Sequence, residues 1–305
     1  MTEFDPLRRV ILCAPEYYEL MPINSIARSH ASQGISIQQK VCLAEHEELA
    51  HAYRSLGTAV SYVDPDSHLI FQTYIRDIAF LMRNGLVLGQ FEEHSRKGES
   101  QAFIESFGEE LTFLAELDAP ETYLEGSDIV VLDETCIAVG VGLRTSGGGA
   151  SWLSQLLAPG GVRVVRVPFD PDYVHLDIFF NVIAPKLALA VTELLPDSFL
   201  SLLEGMGFEL LKVDVRAALE DLACNVVSVG NETIVSTAKN SSVNEMLKAL
   251  GFEVLTPDLR QLLVGGGGVR CLTLPVERDT EDSLLNLKAS EPRQGKDDHH
   301  RYQRQ

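Results

Sequence analysis

Asn244-Glu245-Met246-Leu247-Lys248-Ala249-Leu250-Gly251 leads directly into Phe252-Glu253-Val254-Leu255-Thr256-Pro257-Asp258, and this stretch decides the fold. Its first half carries apolar residues at helical spacing. Gly251 then stands where a helix C-cap calls for a left-handed residue. The second half is a short strand pattern that stops at Pro-Asp. The same design recurs: residues 47–57 lead into 58–65, residues 199–207 into 208–214, and residues 151–157 pass through Gly161 into 162–168. Gly161 and Gly207 are 46 residues apart, Gly207 and Gly251 are 44 apart, and Gly57 and Gly161 are 104 apart, which leaves room for one more unit. The helical pattern over 102–117, closing at Asp118-Ala119-Pro120, fills that gap. Repetition with a period of roughly 45–55 residues indicates one supersecondary unit used five times.

Each helix follows a strand or hairpin. Arg9-Val10-Ile11-Leu12-Cys13 is one such strand. Ile78-Ala79-Phe80-Leu81-Met82 turns at Asn84-Gly85 into Leu86-Val87-Leu88, and Asn-Gly is a strong hairpin signal. Ile129-Val130-Val131-Leu132 turns at Asp133-Glu134 into Ile137-Ala138-Val139, and residues 225–229 turn at Gly230-Asn231 into 233–236. The prediction is an α/β protein of ββαβ units in one closed domain over residues 1–287. No Rossmann fingerprint opens the chain, which argues against a doubly wound sheet. Residues 288–305 are poor in apolar side chains and rich in charge, so a disordered tail is expected there, with His299-His300 as part of a solvated end.

The 305 residues carry 44 Asp+Glu against 25 Lys+Arg, a net charge of −19. Nucleic acid and anionic membrane surfaces need a basic footprint, so neither is expected as a partner. An acidic body suits a small cationic substrate. No apolar run approaches the length of a membrane span, and the charged start, Met1 to Arg9, has no apolar signal core. Cys13, Cys42, Cys136, Cys224 and Cys271 are scattered and odd in number, without CxxC spacing. That pattern points to a reducing, cytoplasmic compartment and away from a disulfide framework or a zinc knuckle.

Cys271 follows Gly265-Gly266-Gly267-Gly268-Val269-Arg270. Four successive glycines let backbone approach a ligand closely. Arg270 beside the cysteine is expected to lower its pKa towards the nucleophilic thiolate. A phosphate loop is excluded because no Lys-Ser/Thr follows. In Val174-His175-Leu176-Asp177, strand alternation would place His175 and Asp177 on one face. Asp77 in Ile75-Arg76-Asp77, and Glu125 and Asp128 in Leu124-Glu125-Gly126-Ser127-Asp128, are carboxylates amid apolar residues, costly unless paired. Arg96 and Arg144 sit in loops after hairpins, where either could clamp a carboxylate. Taken singly, each of these residues also fits a plain structural role.

Taken in order, Ile75-Arg76-Asp77, Leu124-Glu125-Gly126-Ser127-Asp128, Gly142-Leu143-Arg144-Thr145, His175-Leu176-Asp177 and Arg270-Cys271-Leu272-Thr273-Leu274-Pro275 resemble the guanidino-group modifying enzymes. That superfamily includes dimethylarginine dimethylaminohydrolases, arginine deiminases and amidinotransferases. The resemblance runs over about residues 5–280, and the chain's length is most similar to bacterial dimethylargininase-like members. It implies the five-bladed pentein propeller, which agrees with the repeat. It further implies Cys271 as nucleophile, His175 as general acid/base, and Glu125 in the catalytic group. Asp77, Glu125 and Asp177 would hold the guanidinium, Arg96 and Arg144 the substrate carboxylate, and Asp128 would complete the binding set. Neither a cofactor nor a metal is implied, and a homodimer is left open as the assembly.

Three positions depart from the dimethylarginine pattern. Arg76 precedes Asp77, and Asp177 follows His175-Leu176, as in deiminases and amidinotransferases; Ser127 also replaces the usual second glycine of its motif. Two carboxylates able to hold both terminal nitrogens favour an unsubstituted guanidine. The expectation is a C–N hydrolase of arginine or a methylated or related guanidine, working through a Cys-thiouronium. The alternatives are an amidinotransferase and a non-catalytic scaffold.

Overall fold

The first strand runs from Leu7 to Cys13 (β1), and its partners on either side come from opposite ends of the chain. Ala59–Val63 (β2) lies parallel to it, and Leu274–Arg278 lies antiparallel. The computed structural model describes residues 1–279; the tail expected over 288–305 lies outside the described residues.

The other strands form four more sheets of the same build. Ala79–Met82 (β3), Gly85–Leu88 (β4) and Phe113–Glu116 (β5) make one, and Ile129–Asp133 (β6), Cys136–Val141 (β7) and Arg163–Pro168 (β8) the next. Phe180–Ala184 (β9), Leu187–Ala190 (β10) and Glu209–Lys212 (β11) follow, then Val227–Gly230 (β12), Thr233–Val235 (β13) and Glu253–Leu255 (β14). In each, the first and middle strands are an antiparallel hairpin and the third returns parallel to the middle one. Leu274–Arg278 (β15) therefore supplies the first strand of the sheet whose other two strands open the chain.

A parallel return needs a crossover, and each sheet has one helix for it. After Ser25–Ser32 (α1), the crossovers are Gln39–Ser55 (α2), Glu99–Phe107 (α3), Gly147–Leu157 (α4) and Asp197–Gly205 (α5). Val215–Glu220 (α6) precedes the last sheet, whose crossover is Ser241–Ala249 (α7). Gly57, Gly161, Gly207 and Gly251 take φ of +78°, +74°, +77° and +96°, the left-handed exits read from the repeat. First and middle strands are buried almost throughout and read as apolar runs. Third strands such as β8 and β11 are only partly buried, with exposed residues at both ends. β15 packs beside β3, β6 beside β9, β9 beside β12, and β12 beside β1.

Two local expectations are corrected. The helix read over 102–117 stops at Phe107, and residues 113–116 form β5 instead. Pairing with the open edge of β4 satisfies that backbone and outweighs helix continuation past Gly108. Leu176–Ile178 is a single tight turn, not a strand, so His175 and Asp177 do not share a face by alternation. Asp128 Oδ1 accepts the Leu176 N–H at 2.9 Å and holds that turn. Among the described residues no helix is long and apolar enough to cross a membrane.

Contacts at two glycines yield a paired test. A Cβ on Gly126 would lie 2.2 Å from the Arg76 carbonyl oxygen and 2.3 Å from that of Ala79, whereas one on Gly205 would meet nothing within 4 Å. In urea denaturation, Gly126→Ala should lose about 1–3 kcal/mol or more. Gly205→Ala should gain about 0.4–1 kcal/mol.

Candidate active site

One polar residue stands just ahead of the first strand of every sheet: Asp77 before β3, Asp128 before β6, Asp177 before β9, Asn225 before β12 and Cys271 before β15. Four of them were recognised individually from the sequence. Asn225 was missed, although the spacings along this series (51, 49, 48 and 46 residues) carry the repeat and would have found it. Its side chain is central to the site. Asn225 Nδ2 donates to Cys271 Sγ at 3.2 Å, and its Oδ1 accepts the N–H groups of Arg270 (2.9 Å) and Cys271 (3.3 Å).

The four glycines before Cys271 are a packing requirement. A Cβ on Gly265 would collide with the hydroxyl groups of Tyr18 and Tyr74, one on Gly267 would enter the Tyr74 ring, and one on Gly268 would strike Asn225. Tyr18 and Tyr74 are hydrogen-bonded to each other at 2.6 Å, and Asn24 Nδ2 donates to the Gly265 carbonyl at 2.9 Å. The run thus presses against fixed side chains and seats Cys271 at the base of a small cavity. Asp77, Arg96, Arg144, His175, Cys271, Ile23, Phe71 and Tyr74 line that cavity.

His175 Nε2 lies 2.7 Å from Glu125 Oε2, and its Nδ1 lies 3.8 Å from Asp77 Oδ1. Burial pulls the imidazole down, but Asp77, Asp128 and Glu125 outweigh it and hold the pKa up at about 9. Burial pushes Asp128 up to about 7. Asp77 is held below the usual carboxylate range, its burial offset by His175 and Arg96. Burial, then repulsion from Asp177 and Asp77, raises the Cys271 thiol well above its ordinary value.

Arg270 does attract a Cys271 thiolate, as expected from its place beside it, but burial and the two aspartates outweigh that attraction. Both terminal nitrogens of Arg270 are engaged elsewhere: Nη1 donates to Asp177 Oδ2 (2.8 Å) and the Ser127 carbonyl (3.4 Å), and Nη2 to the Ile129 carbonyl (2.7 Å) and Glu3 Oε1 (3.1 Å). Its charge is matched by carboxylates, and one of them, Asp177, approaches Sγ at 3.8 Å through the same oxygen.

The two candidate clamps differ. Arg96 lies over the Phe91 ring at 4.3 Å and spends its donors on Glu99 (3.0 and 2.8 Å), the Tyr74 carbonyl (3.1 Å) and Asp77. Glu99, also missed in the sequence, is buried and pushed up to about 7 by that burial. Arg144 is buried, 3.9 Å from both Glu125 Oε1 and Glu93 Oε2, and its Nη1 has no hydrogen-bond partner among the described residues. Glu125, Asp128 and Asp177 stand behind the cavity's lining: Glu125 contacts His175, Asp177 approaches Cys271, and Asp128 braces the turn that follows His175.

Four buried carboxylates leave an oxygen without a hydrogen bond among the described residues: Asp77 Oδ1, Glu125 Oε1, Asp128 Oδ2 and Asp177 Oδ1. Buried anionic oxygens of this kind call for a cation. Donor atoms of Asp77, Glu125 and His175 lie within 4.8 Å of one another, close enough for a metal ion. His175, holding its proton up to about 9, would have to surrender it to ligate, so the geometry suits an organic cation with N–H donors better.

A buried cysteine and histidine among carboxylates, on repeated three-stranded α/β sheets, are the parts of a guanidino-group modifying enzyme, and the relatives place the chain in that superfamily. The chain belongs to the N,N dimethylarginine dimethylhydrolase family: the eukaryotic family model of that description matches residues 15–278. It is 29% identical over 279 residues to the uncharacterized protein YkgA of Bacillus subtilis, covering 91% of this chain and 94% of that one. It is 26% identical over 244 residues to the N(G),N(G)-dimethylarginine dimethylaminohydrolase of Mycobacterium tuberculosis, covering 79% of this chain and 77% of that one. The fold is similar to the product-bound N-terminal domain of ArgZ, a cyanobacterial arginine dihydrolase, at TM-score 0.78 and 23% identity, over 90% of this chain and 98% of that one.

His175 supplies a direct pH test. Its Hε1 NMR resonance should titrate near 9, and Glu125→Gln should lower that midpoint by a unit or so. A pKa raised from 6.5 to about 9 by folding contributes stability that is complete below pH 6.5 and lost as pH rises through 9. Urea unfolding of the parent protein against His175→Gln should show a difference that shrinks over that window.

Proposed function

We propose that this protein hydrolyses the guanidino C–N bond of arginine or a closely related, unsubstituted guanidine through a covalent Cys271 thiouronium. The observation that carries this reading is the set of buried carboxylate oxygens left without donors around Cys271 and His175. A guanidinium brings one positive charge and a fork of N–H donors, which is what those oxygens lack. Arg96 holds one oxygen of Asp77, and Arg270 holds one of Asp177. Each carboxylate keeps its other oxygen for the substrate, and alkyl groups on a terminal nitrogen would block that contact.

The chemistry follows from the electrostatics. In the empty site Cys271 is a thiol, kept so by burial and two aspartates. Entry of a cation beside it offsets the aspartates, and the thiol releases its proton to water. The thiolate adds to the guanidinium carbon and forms a tetrahedral adduct. His175, protonated at neutral pH, gives its proton to the departing nitrogen, and ammonia leaves a thiouronium on Cys271. Neutral His175 then takes a proton from the attacking water, and collapse returns the thiolate and a ureido product. Glu125 orients the imidazole and stabilises its cation. Arg144, with an uncommitted Nη1, is the clamp for a substrate carboxylate, while Arg96 positions Asp77. The N-terminal domain of ArgZ has been captured covalently bound to a reaction intermediate, which supports a covalent step.

The same proposal includes the scaffold and its setting. The five like sheets, with β15 beside β3, β6 beside β9, β9 beside β12 and β12 beside β1, support a closed five-bladed propeller with the site at its axis. Five unpaired, buried cysteines support a reducing, cytoplasmic location.

Incubation with arginine, methylarginines, agmatine and guanidinoacetate should release ammonia and a ureido product from the unsubstituted compounds first. No turnover on that panel, with or without acceptor amines, would defeat the reading, and amine-dependent turnover alone would make it a transferase. Cys271→Ser should abolish turnover with the fold intact by circular dichroism. Arg144→Lys should raise KM for arginine about 10–100-fold through loss of the bidentate clamp and leave agmatine, which has no carboxylate, unaffected.

A further inference from the structure

Three buried arginines, Arg76, Arg270 and Arg278, meet on the far side of the catalytic turns, and the anion between them is Glu3. Glu3 Oε1 accepts from Arg76 Nη2 and Arg270 Nη2, both at 3.1 Å, and Oε2 accepts from Arg76 Nη2 at 3.3 Å. Arg278 donates to the carbonyls of Asp5 and Ser228. The expected mechanism uses none of this, and nothing in the sequence motifs singles out Glu3. Yet the network is continuous with the nucleophile. Arg270 joins Glu3 to Asp177 Oδ2, and that oxygen is 3.8 Å from Cys271 Sγ. Arg76 is tied to the same turn, because its backbone N–H donates to the Cys271 carbonyl at 3.1 Å.

We propose that Glu3 is a positioning residue for the reaction, a buried counter-charge that offsets Arg76 and Arg270 and, through the Arg270–Asp177 pair, sets the ionisation of Cys271 from behind the site. This rests on the reading of Cys271 as the nucleophile. Like charges buried side by side repel strongly where no water screens them. Arg76 registers that repulsion: burial and Arg270 pull it down to about 10 even with Glu3 present. Glu3 itself is drawn down to about 2, the three arginines outweighing its burial. The charge balance of the network, more than the identity of Arg270, fixes the potential at Sγ. The groups facing Cys271 are Asp177, Asp77, Arg270, Tyr74 and the neutral donor Asn225, with His175 lining the same cavity.

The test needs no substrate, so it is separable from the proposed activity. The rate of iodoacetamide alkylation of Cys271 at pH 9 is followed by peptide mass spectrometry, with buried Cys42 and Cys13, which do not face Asp177, as reporters of general loosening. Removing an anion favours the thiolate and removing a cation disfavours it. Glu3→Gln should speed Cys271 alkylation about 3–10-fold, Arg76→Gln should slow it by a similar factor, and the double variant should return to within about twofold of the parent. Cys42 and Cys13 should stay at parental rates. Should Glu3→Gln fail to fold, Arg76→Gln and the charge-balanced double variant carry the test. A Cys271 rate unmoved by these changes, whatever happens to Tm, would overturn the proposal, as would rates that rise together at all three cysteines. No turnover on the guanidine panel with the alkylation pattern intact would defeat the function and leave this relay standing.

Discussion

Four carboxylates taken out of water around one thiol dominate this molecule's chemistry. Asp77, Glu125, Asp128 and Asp177 are all buried, and each is only partly satisfied by its neighbours. Desolvation of an anion is costly, so each is held by a specific cation or donor: Arg96 for Asp77, His175 for Glu125, the Leu176 N–H for Asp128 and Arg270 for Asp177. What remains is one oxygen on each without a hydrogen bond among the described residues. The raised thiol of Cys271 and the raised imidazole of His175 are two consequences of that same accumulation of negative charge.

The repeat makes such a concentration feasible. One turn ahead of each first strand delivers one side chain, so Asp77, Asp128, Asp177, Asn225 and Cys271 arrive from five separate parts of the chain. The backbone of these turns is fixed by tight contacts, including the glycine run against Tyr18, Tyr74 and Asn225. Rigid turns hold like charges at separations that loose loops would relax. The counter-charges arrive by other routes. Arg96 and Glu99 follow a hairpin, Arg270 precedes the nucleophile, and Glu3 comes from the start of the chain.

Much of this was legible in the sequence. The helix–glycine–strand pattern revealed the unit, because a left-handed C-cap glycine and the change from helical to strand spacing are local signals. Cys271, His175 and the named carboxylates stood out because polar residues among apolar ones are conspicuous. The short β5 did not stand out: its residues continue a helical pattern, and only the edge of β4 makes them a strand. The role of Arg270 was legible only in part, for a related reason. Adjacency in sequence suggested a charge acting on Cys271, whereas its guanidinium reaches Asp177, Glu3 and two carbonyls far away along the chain.

The sequence by itself determined the unit, its repetition and the inventory of reactive side chains, since these depend on spacing and side-chain chemistry within a few turns of chain. Tertiary structure alone decided which charges pair. It joined β15 to β1 across the whole length of the protein, put Asn225 on Cys271, committed Arg96 to Glu99 and Asp77 while leaving Arg144 Nη1 unpaired, and set Glu3 between Arg76 and Arg270. Electrostatic pairing depends on distance in space and on the exclusion of water, and neither quantity is written along the chain.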